Sequence, residues 1–298
     1  MNESLNSKQV ISRGWVRAAL FCILYFGVAL FINIPIAMAV SSAGASEKTT
    51  PESLGTGDSL WFIILITSIT LIFLVYIFRN FIDRQNISSL GLALEGLSGQ
   101  AFAGLFLAPS ILGVGTIVLY YSGHLQWLDA ILDPAKLFIT FGLMAMVAFS
   151  EELVFRGYIL SNLLDSFNKW IALFVSAFVF AVAHNLNSTV NLLSFGGVFL
   201  AGLALAINYI YTRNLWFSIL FHFSWNFLQG PILGFKVSGN TFPSLLQTEL
   251  KGDAMITGGE FGFEGSMISI LLLLISVSLL YFVYQGKYAT KPAVINLQ

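Results

Sequence analysis

The chain has 298 residues, of which 57% are hydrophobic and 10% charged, and its formal net charge is −1 at pH 7. An ordinary soluble domain carries about 25% charged residues, so this composition excludes a soluble globular protein and indicates a chain that lies in a lipid bilayer. The charge balance and the lack of any Lys- and Arg-rich tract also argue against a nucleic-acid partner.

Eight apolar stretches are candidates for membrane-spanning helices, since a helix needs about 20 apolar residues to cross a hydrocarbon core. They cover residues 18–40, 60–78, 100–121, 137 into the 160s, 170–184, 192–212, 215–233 and 266–284. The fifth is the shortest of them. The sequence therefore predicts an all-α fold: a polytopic membrane helix bundle of about eight transmembrane helices, forming one integral membrane domain over residues 1–298.

The distribution of basic residues predicts the orientation of this bundle. If the N-terminus is inside, ten Lys and Arg residues lie on the cytoplasmic side and four lie outside. This excess favours cytoplasmic N- and C-termini. The outside segments 41–59 and 234–265 are rich in Gly, Ser and Thr, which indicates loops.

Ionisable residues inside the predicted spans are the first sign of a functional site. A charge at the bilayer centre costs at least about 2.5–3.5 kcal/mol, so it marks function by default. Between residues 137 and 231 five such residues lie within spans: Glu151, Glu152, Arg156, His184 and His222.

Helix geometry separates the two carboxylates. Glu152 and Arg156 are four residues apart and share a helix face, whereas Glu151 is turned about 100° from Glu152. We therefore expect Arg156 to hold Glu152 ionised and Glu151, which has no counter-ion, to serve as a general base. The alternative is a buried cluster in which both carboxylates bind Arg156 and only lock helices together.

Two histidines and an asparagine on later helices can join the carboxylates. His184 follows the turn near residues 167–168 at about the distance by which Glu151 precedes it, so an antiparallel hairpin sets both at one height. His222 and Asn226 are four residues apart and share a face of the seventh helix. The two histidines can meet only if the fourth and fifth helices extend about 10–15 Å further into the cytoplasm.

Taken in order, these motifs resemble a known family. They are Glu151-Glu152-x-x-x-Arg156, Phe180-x-x-x-His184 and His222-x-x-x-Asn226, on successive apolar helices. The pattern is similar to that of the CPBP family of intramembrane proteases, also called the Abi or CAAX-protease-like family. The resemblance covers residues 137–231, which would form a catalytic core, with peripheral helices and loops at residues 1–136 and 232–298.

The resemblance implies a helical bundle with a cavity open to the cytosol, and cleavage of peptide bonds near the membrane. It implies that the catalytic residues are Glu151, His184, His222 and Asn226, supported by Glu152 and Arg156. In that family, eukaryotic enzymes trim the C-termini of prenylated proteins, and many bacterial relatives are linked to bacteriocin maturation or self-immunity. We therefore expect a membrane-associated peptide or protein as substrate, and a location in a cell membrane of bacterial type.

The chemistry of these residues also suits peptide hydrolysis. Glu151 with His184 can take a proton from an attacking water, while His222 and Asn226 can donate hydrogen bonds to the oxyanion. This predicts a glutamic mechanism without metal or cofactor. Zinc bound by Glu151, His184 and His222 is the alternative, although it would use the general base as a ligand, and the helical His-Glu-x-x-His signature is absent.

Two other functions stay open at this point. The same polar cluster could belong to a non-catalytic membrane immunity or binding protein. It could also relay protons in a transporter, since membrane Glu and His residues can do so. Against the transporter, the sequence shows no inverted repeat or pair of broken helices.

Overall fold

The computed structural model describes residues 9–42, 58–93, 97–184 and 191–288, so most of the predicted loop 41–59 lies outside the described residues. The α-helices are α1 (Gly14–Ser42), α2 (Asp58–Ile77), α3 (Leu97–Tyr121), α4 (Pro134–Glu152), α5 (Ser161–Leu164), α6 (Lys169–His184), α7 (Leu192–Ile207), α8 (Tyr209–Thr212), α9 (Trp216–Phe227), α10 (Ala254–Thr257) and α11 (Met267–Tyr288). Three π-helical segments extend α2, α4 and α9: π1 (Phe78–Ile82), π2 (Leu153–Leu160) and π3 (Leu228–Ile232). Two 3₁₀ turns lie at Ile87–Leu90 and Phe263–Gly265.

The prediction of an all-α polytopic bundle is confirmed, but the count of eight spans is not. Within the described ranges, six helices are long and apolar enough to cross a membrane. They lie at Gly14–Phe31, Trp61–Ile82, Gly99–Tyr121, Pro134–Leu164, Leu192–Thr212 and Met267–Tyr288. The other two predicted spans are shorter, since α6 has 16 residues and α9 has 12 before it continues as π3.

The segment predicted as a plain loop at 234–265 is more structured than expected. It contains a strand, β2 (Leu246–Leu250), which pairs antiparallel with β1 (Leu125–Ala130). It also contains α10 and the second 3₁₀ turn, and it buries four aromatic side chains: Phe235, Phe242, Phe261 and Phe263. The glycine-rich composition led to the interpretation as a loop, but in this segment glycine allows close packing as well as turns.

The helix formed by α4, π2 and α5 is the central element of the bundle. It runs over 31 residues, and all eight residues of π2 are buried. A Cβ on Gly157 would lie 3.3 Å from the Cδ1 atom of Leu215, the residue that precedes α9. About 10 Å of the long helix therefore continues past the start of α9, and this offset lets residues near the middle of α4–π2 meet residues early in α9.

A buried ionic cluster ties α1 and π1 to the end of this long helix. Asp83, 1% exposed, accepts a hydrogen bond from Arg79 at 2.7 Å and from the Tyr158 hydroxyl at 3.1 Å, and it lies 3.5 Å from Arg17 Nε. Arg17 also donates to Asp165 at 2.7 Å. Because removing one partner would leave buried charge uncompensated, this cluster fixes how the outer helices dock on the central one.

Two adjacent glycines of α7 provide a matched test of the packing. A Cβ on Gly197 would collide with the carbonyl oxygen of Glu264, whereas a Cβ on Gly196 would meet no described atom of another element within 4 Å. We expect Gly197→Ala to lower the free energy of unfolding by about 1–3 kcal/mol. Gly196→Ala should leave it unchanged or raise it by up to about 1 kcal/mol, since Ala favours helix over Gly. Thermal unfolding of both variants in one detergent measures the difference, and equal stabilities would contradict the close contact.

Candidate active site

The two neighbouring carboxylates lie where α4 changes into π2, and they have different partners. Glu152 is fully buried and accepts a hydrogen bond from Arg156 Nη1 at 2.8 Å. Arg156 also donates from Nη2 to the carbonyl oxygen of Gly202 in α7 at 3.2 Å, and its guanidinium lies 4.3 Å from the centre of the Phe180 ring. Among the described residues Arg156 pairs with Glu152 alone, so the alternative cluster with both carboxylates on Arg156 is not what forms.

Glu152 has a second partner that the sequence did not predict. His222 Nδ1 lies 2.8 Å from Glu152 Oε1, the same oxygen that Arg156 binds. An ionised carboxylate only accepts hydrogen bonds, so Nδ1 of His222 carries a proton. The other ring nitrogen, Nε2, then points toward Glu151, 4.0 Å from its Oε2 atom.

His184, at the end of α6, approaches Glu151 from the other side. Its Nδ1 atom lies 2.9 Å from the carbonyl oxygen of Phe180, and because a carbonyl only accepts, this nitrogen also carries a proton. Nε2 of His184 lies 3.7 Å from Glu151 Oε2. The structure thus brings one oxygen of Glu151 close to both histidines.

Exposure differs sharply across this cluster. The side chains of Glu151 and His184 are 23% and 18% exposed, whereas that of Glu152 is completely buried. The Oε2 atom of Glu151 is itself buried and has no hydrogen-bond partner among the described residues. The side chains of Glu151 and His184 are therefore the partly exposed members of the cluster, and Glu152 and Arg156 are its fully buried members.

Asn226 is placed less directly. It lies one helical turn after His222 on α9 and is 7% exposed. Its side chain makes no hydrogen bond within the part of the chain that the structure describes. The structure therefore brings Glu151, Glu152, Arg156, His184 and His222 into one cluster, with Asn226 beside His222 along the same helix.

Two residues near this cluster were missed by sequence reasoning. The ring of Tyr25 in α1 packs against Phe155 of π2, with 5.4 Å between ring centres, so the first helix contacts the segment that follows Glu152. Glu264 in the second 3₁₀ turn is 7% exposed and accepts a hydrogen bond from Trp225 of α9 at 3.3 Å. Only an isolated acid between glycine and phenylalanine residues hinted at Glu264 in the sequence.

A zinc ion bound by Glu151, His184 and His222 would need these three side chains at particular distances from one another. Tetrahedral ligands about 2.1 Å from zinc would lie about 3.4 Å from one another. The Glu151 oxygen lies 3.7 Å and 4.0 Å from the nitrogens of His184 and His222. Within the described residues no group of three His, Cys, Asp or Glu side chains is arranged to hold a metal ion.

Fold and site together define a polytopic helical membrane protein with a buried cluster of Glu, His and Arg. Residues 133–228 match the model of a protein family described as "Type II CAAX prenyl endopeptidase Rce1-like". This match confirms the resemblance to the CPBP, or CAAX-protease-like, family, and all the predicted site residues lie within it. With the six apolar helices, it supports a multi-pass integral membrane protein. Neither a curated protein nor a solved structure gave a significant match.

Proposed function

We propose that this protein is an intramembrane endopeptidase that hydrolyses peptide bonds of membrane-associated substrates, among them prenylated proteins with a C-terminal CAAX sequence or bacteriocin-like peptides. One observation carries the proposal: Oε2 of Glu151 lies 3.7 Å from Nε2 of His184, and both side chains are partly exposed. The match to a family of prenyl endopeptidases supports the substrate class.

The nucleophile in this proposal is a water shared by Glu151 and His184. Since Nδ1 of His184 donates to Phe180, the Nε2 atom of the neutral ring is an acceptor, as is the carboxylate oxygen that faces it. In this proposal one water binds between the two acceptors and donates a hydrogen bond to each. Its oxygen lone pair is then free to attack the carbonyl carbon of the substrate.

The proton inventory closes for this hydrolysis. As the water oxygen bonds to the carbonyl carbon, Glu151 takes a proton from it, and the carbonyl electrons move to the oxygen. When the tetrahedral intermediate collapses, the C–N bond breaks and the leaving amine receives that proton from the Glu151–His184 pair. The immediate products are a carboxylic acid and an amine, and both residues return to their starting states. The new acid then gives its proton to the amine or to solvent, which leaves a carboxylate.

His222 is suited to stabilise the oxyanion in its doubly protonated form. Glu151 and Glu152 carry two negative charges and Arg156 one positive charge, so a protonated His222 makes the cluster neutral. Glu152 holds the Nδ1 proton of this imidazolium at 2.8 Å. Nε2–H can then donate to the oxyanion, with the amide of Asn226 as a second donor from the next turn.

The proposal is tested by cleavage of a CAAX peptide with a farnesylated cysteine, by purified full-length protein in detergent micelles or proteoliposomes. We expect release of the C-terminal fragment, at an unchanged rate in the presence of the zinc chelator phenanthroline. Mass spectrometry of the products locates the cleaved bond, and the peptide without its prenyl group shows how far the lipid contributes.

Other outcomes separate the alternatives. Loss of cleavage with chelator, restored by added zinc, would replace the glutamic mechanism with a metal-dependent one. A well-folded protein that cleaves neither this peptide nor other lipidated and membrane peptides would instead support the non-catalytic immunity or binding protein.

A further inference from the structure

Glu264 is a third buried carboxylate near the proposed site, and the mechanism above does not use it. Its Oε1 atom accepts hydrogen bonds from the backbone N–H of Ser238 at 2.5 Å and from the Ser238 hydroxyl at 2.8 Å. Its Oε2 atom accepts from Trp225 Nε1 at 3.3 Å and from Gln229 Nε2 at 3.4 Å. A side chain with four donors is held in one orientation.

Two of these donors bracket a proposed catalytic residue. Trp225 and Gln229 lie on consecutive turns of the helix that carries His222, and Asn226 lies between them in sequence. One oxygen of Glu264 therefore bridges two turns of this helix, while the other oxygen binds the loop that follows it. The carboxylate connects the catalytic helix to the start of α11.

The bridged position is also where this helix changes its winding. The α-helical part ends at Phe227 and π3 begins at Leu228, with Pro231 inside the π segment. A π turn inside an α-helix is rare and often occurs at functional sites. Gln229 lies in π3 directly after this transition, and its Nε2 also donates to the carbonyl oxygen of Lys236 at 2.6 Å.

Glu264 is a buried carboxyl group whose surroundings oppose one another in their effect on its ionisation. Burial raises the pKa of this carboxyl group, while the hydrogen bonds from Ser238 and Trp225 oppose that shift. Through Trp225, Glu264 is bonded directly to the helix that brings His222 to the cluster.

We propose that Glu264 is a positioning residue for the proposed active site. Its hydrogen bonds set the rotation of α9 and π3, so that His222 and Asn226 face the substrate beside Glu151. The inference rests on the proposed function. It adds to the site a residue from outside the segment that matches the protease family, contributed by the connection between α9 and α11.

The experiment compares Glu264→Gln with Glu260→Gln in the full-length protein. Glu260 lies in the same connection but is exposed and pairs with Lys236, so it controls for loss of a negative charge. Glu264→Gln puts an amide N–H₂ where the carboxylate accepted bonds on both oxygens. We expect its kcat on the farnesylated CAAX peptide to fall about 10- to 100-fold with KM changed less than about twofold, because small misplacements of catalytic groups cost rate. Glu260→Gln should behave like the wild type.

A second measurement reports on the contact without any catalysis. In protein labelled with ¹⁵N-tryptophan, the indole N–H resonance of Trp225, assigned with Trp225→Phe, should shift in Glu264→Gln and stay in place in Glu260→Gln. If Glu264→Gln does not fold, Trp225→Phe takes its place, since it removes one donor and keeps an aromatic ring. Its kcat should fall by a smaller factor, again at similar KM.

A folded Glu264→Gln with a shifted Trp225 resonance and wild-type kcat would overturn the inference while leaving the proposed function in place, as would wild-type kcat in Trp225→Phe. Failure of the proposed function would look different. In that case Glu151→Gln would cleave like the wild type, and the positioning role would fall with it.

Discussion

Replacement of Glu151 by Gln is expected to lower kcat for peptide cleavage by at least about 100-fold, the low end of what a positioned general base contributes. Glutamine keeps the shape of the side chain but cannot take a proton from water. The fold should be retained, because Glu151 forms no hydrogen bond within the described residues and is not the partner of Arg156. The measurement is kcat and KM on the farnesylated CAAX peptide, together with the melting temperature.

A matched control for this variant is Glu249→Gln, since Glu249 is a half-exposed carboxylate of β2 that pairs with Lys251. It should leave both cleavage and melting temperature unchanged. Because Glu151 and His184 are proposed to hold the same water, adding His184→Gln to Glu151→Gln should cost little more than either change alone. Full cleavage by Glu151→Gln would contradict the glutamic mechanism.

Local helix geometry predicted the pairing inside the central helix. The four-residue spacing of Glu152 and Arg156 places them on one face, and in the structure they are 2.8 Å apart. Equal distances from the turn near residues 167–168 placed Glu151 and His184 at one height, and their side chains lie 3.7 Å apart. Both inferences needed only the rise of a helix and an antiparallel hairpin. These depend on the short stretch of chain between the paired residues, so the sequence could predict them.

Helix geometry could not predict contacts between segments that are far apart in the sequence. The bond between His222 and Glu152 joins residues 70 positions apart, and no spacing rule chooses between Glu151 and Glu152 as the partner of His222. That choice depends on the rotation of α9 about its own axis. In the structure α9 is held by packing and by hydrogen bonds from residues outside 133–228, including those to Glu264.

The connection between α9 and α11 shows the same limit. The strand β2 pairs with β1, which lies more than 100 residues earlier, and neither strand has a long alternating pattern of its own. Gly262 has φ of 111°, a conformation that favours glycine, at a point where a Cβ would meet the carbonyl oxygen of Lys236. Composition alone could not tell such close packing from an ordinary flexible loop.

The largest effect on stability is expected for Arg156→Met, which should lower the free energy of unfolding by about 3–5 kcal/mol. Arg156 and Glu152 are completely buried, so the substitution leaves the carboxylate charge with His222 as its remaining bonded partner. It also removes the bond to Gly202 and the contact with the Phe180 ring. Unfolding in mixed micelles, followed by tryptophan fluorescence, measures this loss.

A double-mutant cycle separates the ion pair from these other contacts. Glu152→Gln alone should also destabilise, because it leaves the Arg156 charge buried without a counter-ion. The double variant Glu152→Gln with Arg156→Met buries no unpaired charge at these positions, so its cost should fall below the sum of the single costs by at least about 1 kcal/mol. Strict additivity would mean that the two residues stabilise the bundle independently, and it would contradict an energetic coupling across the 2.8 Å pair.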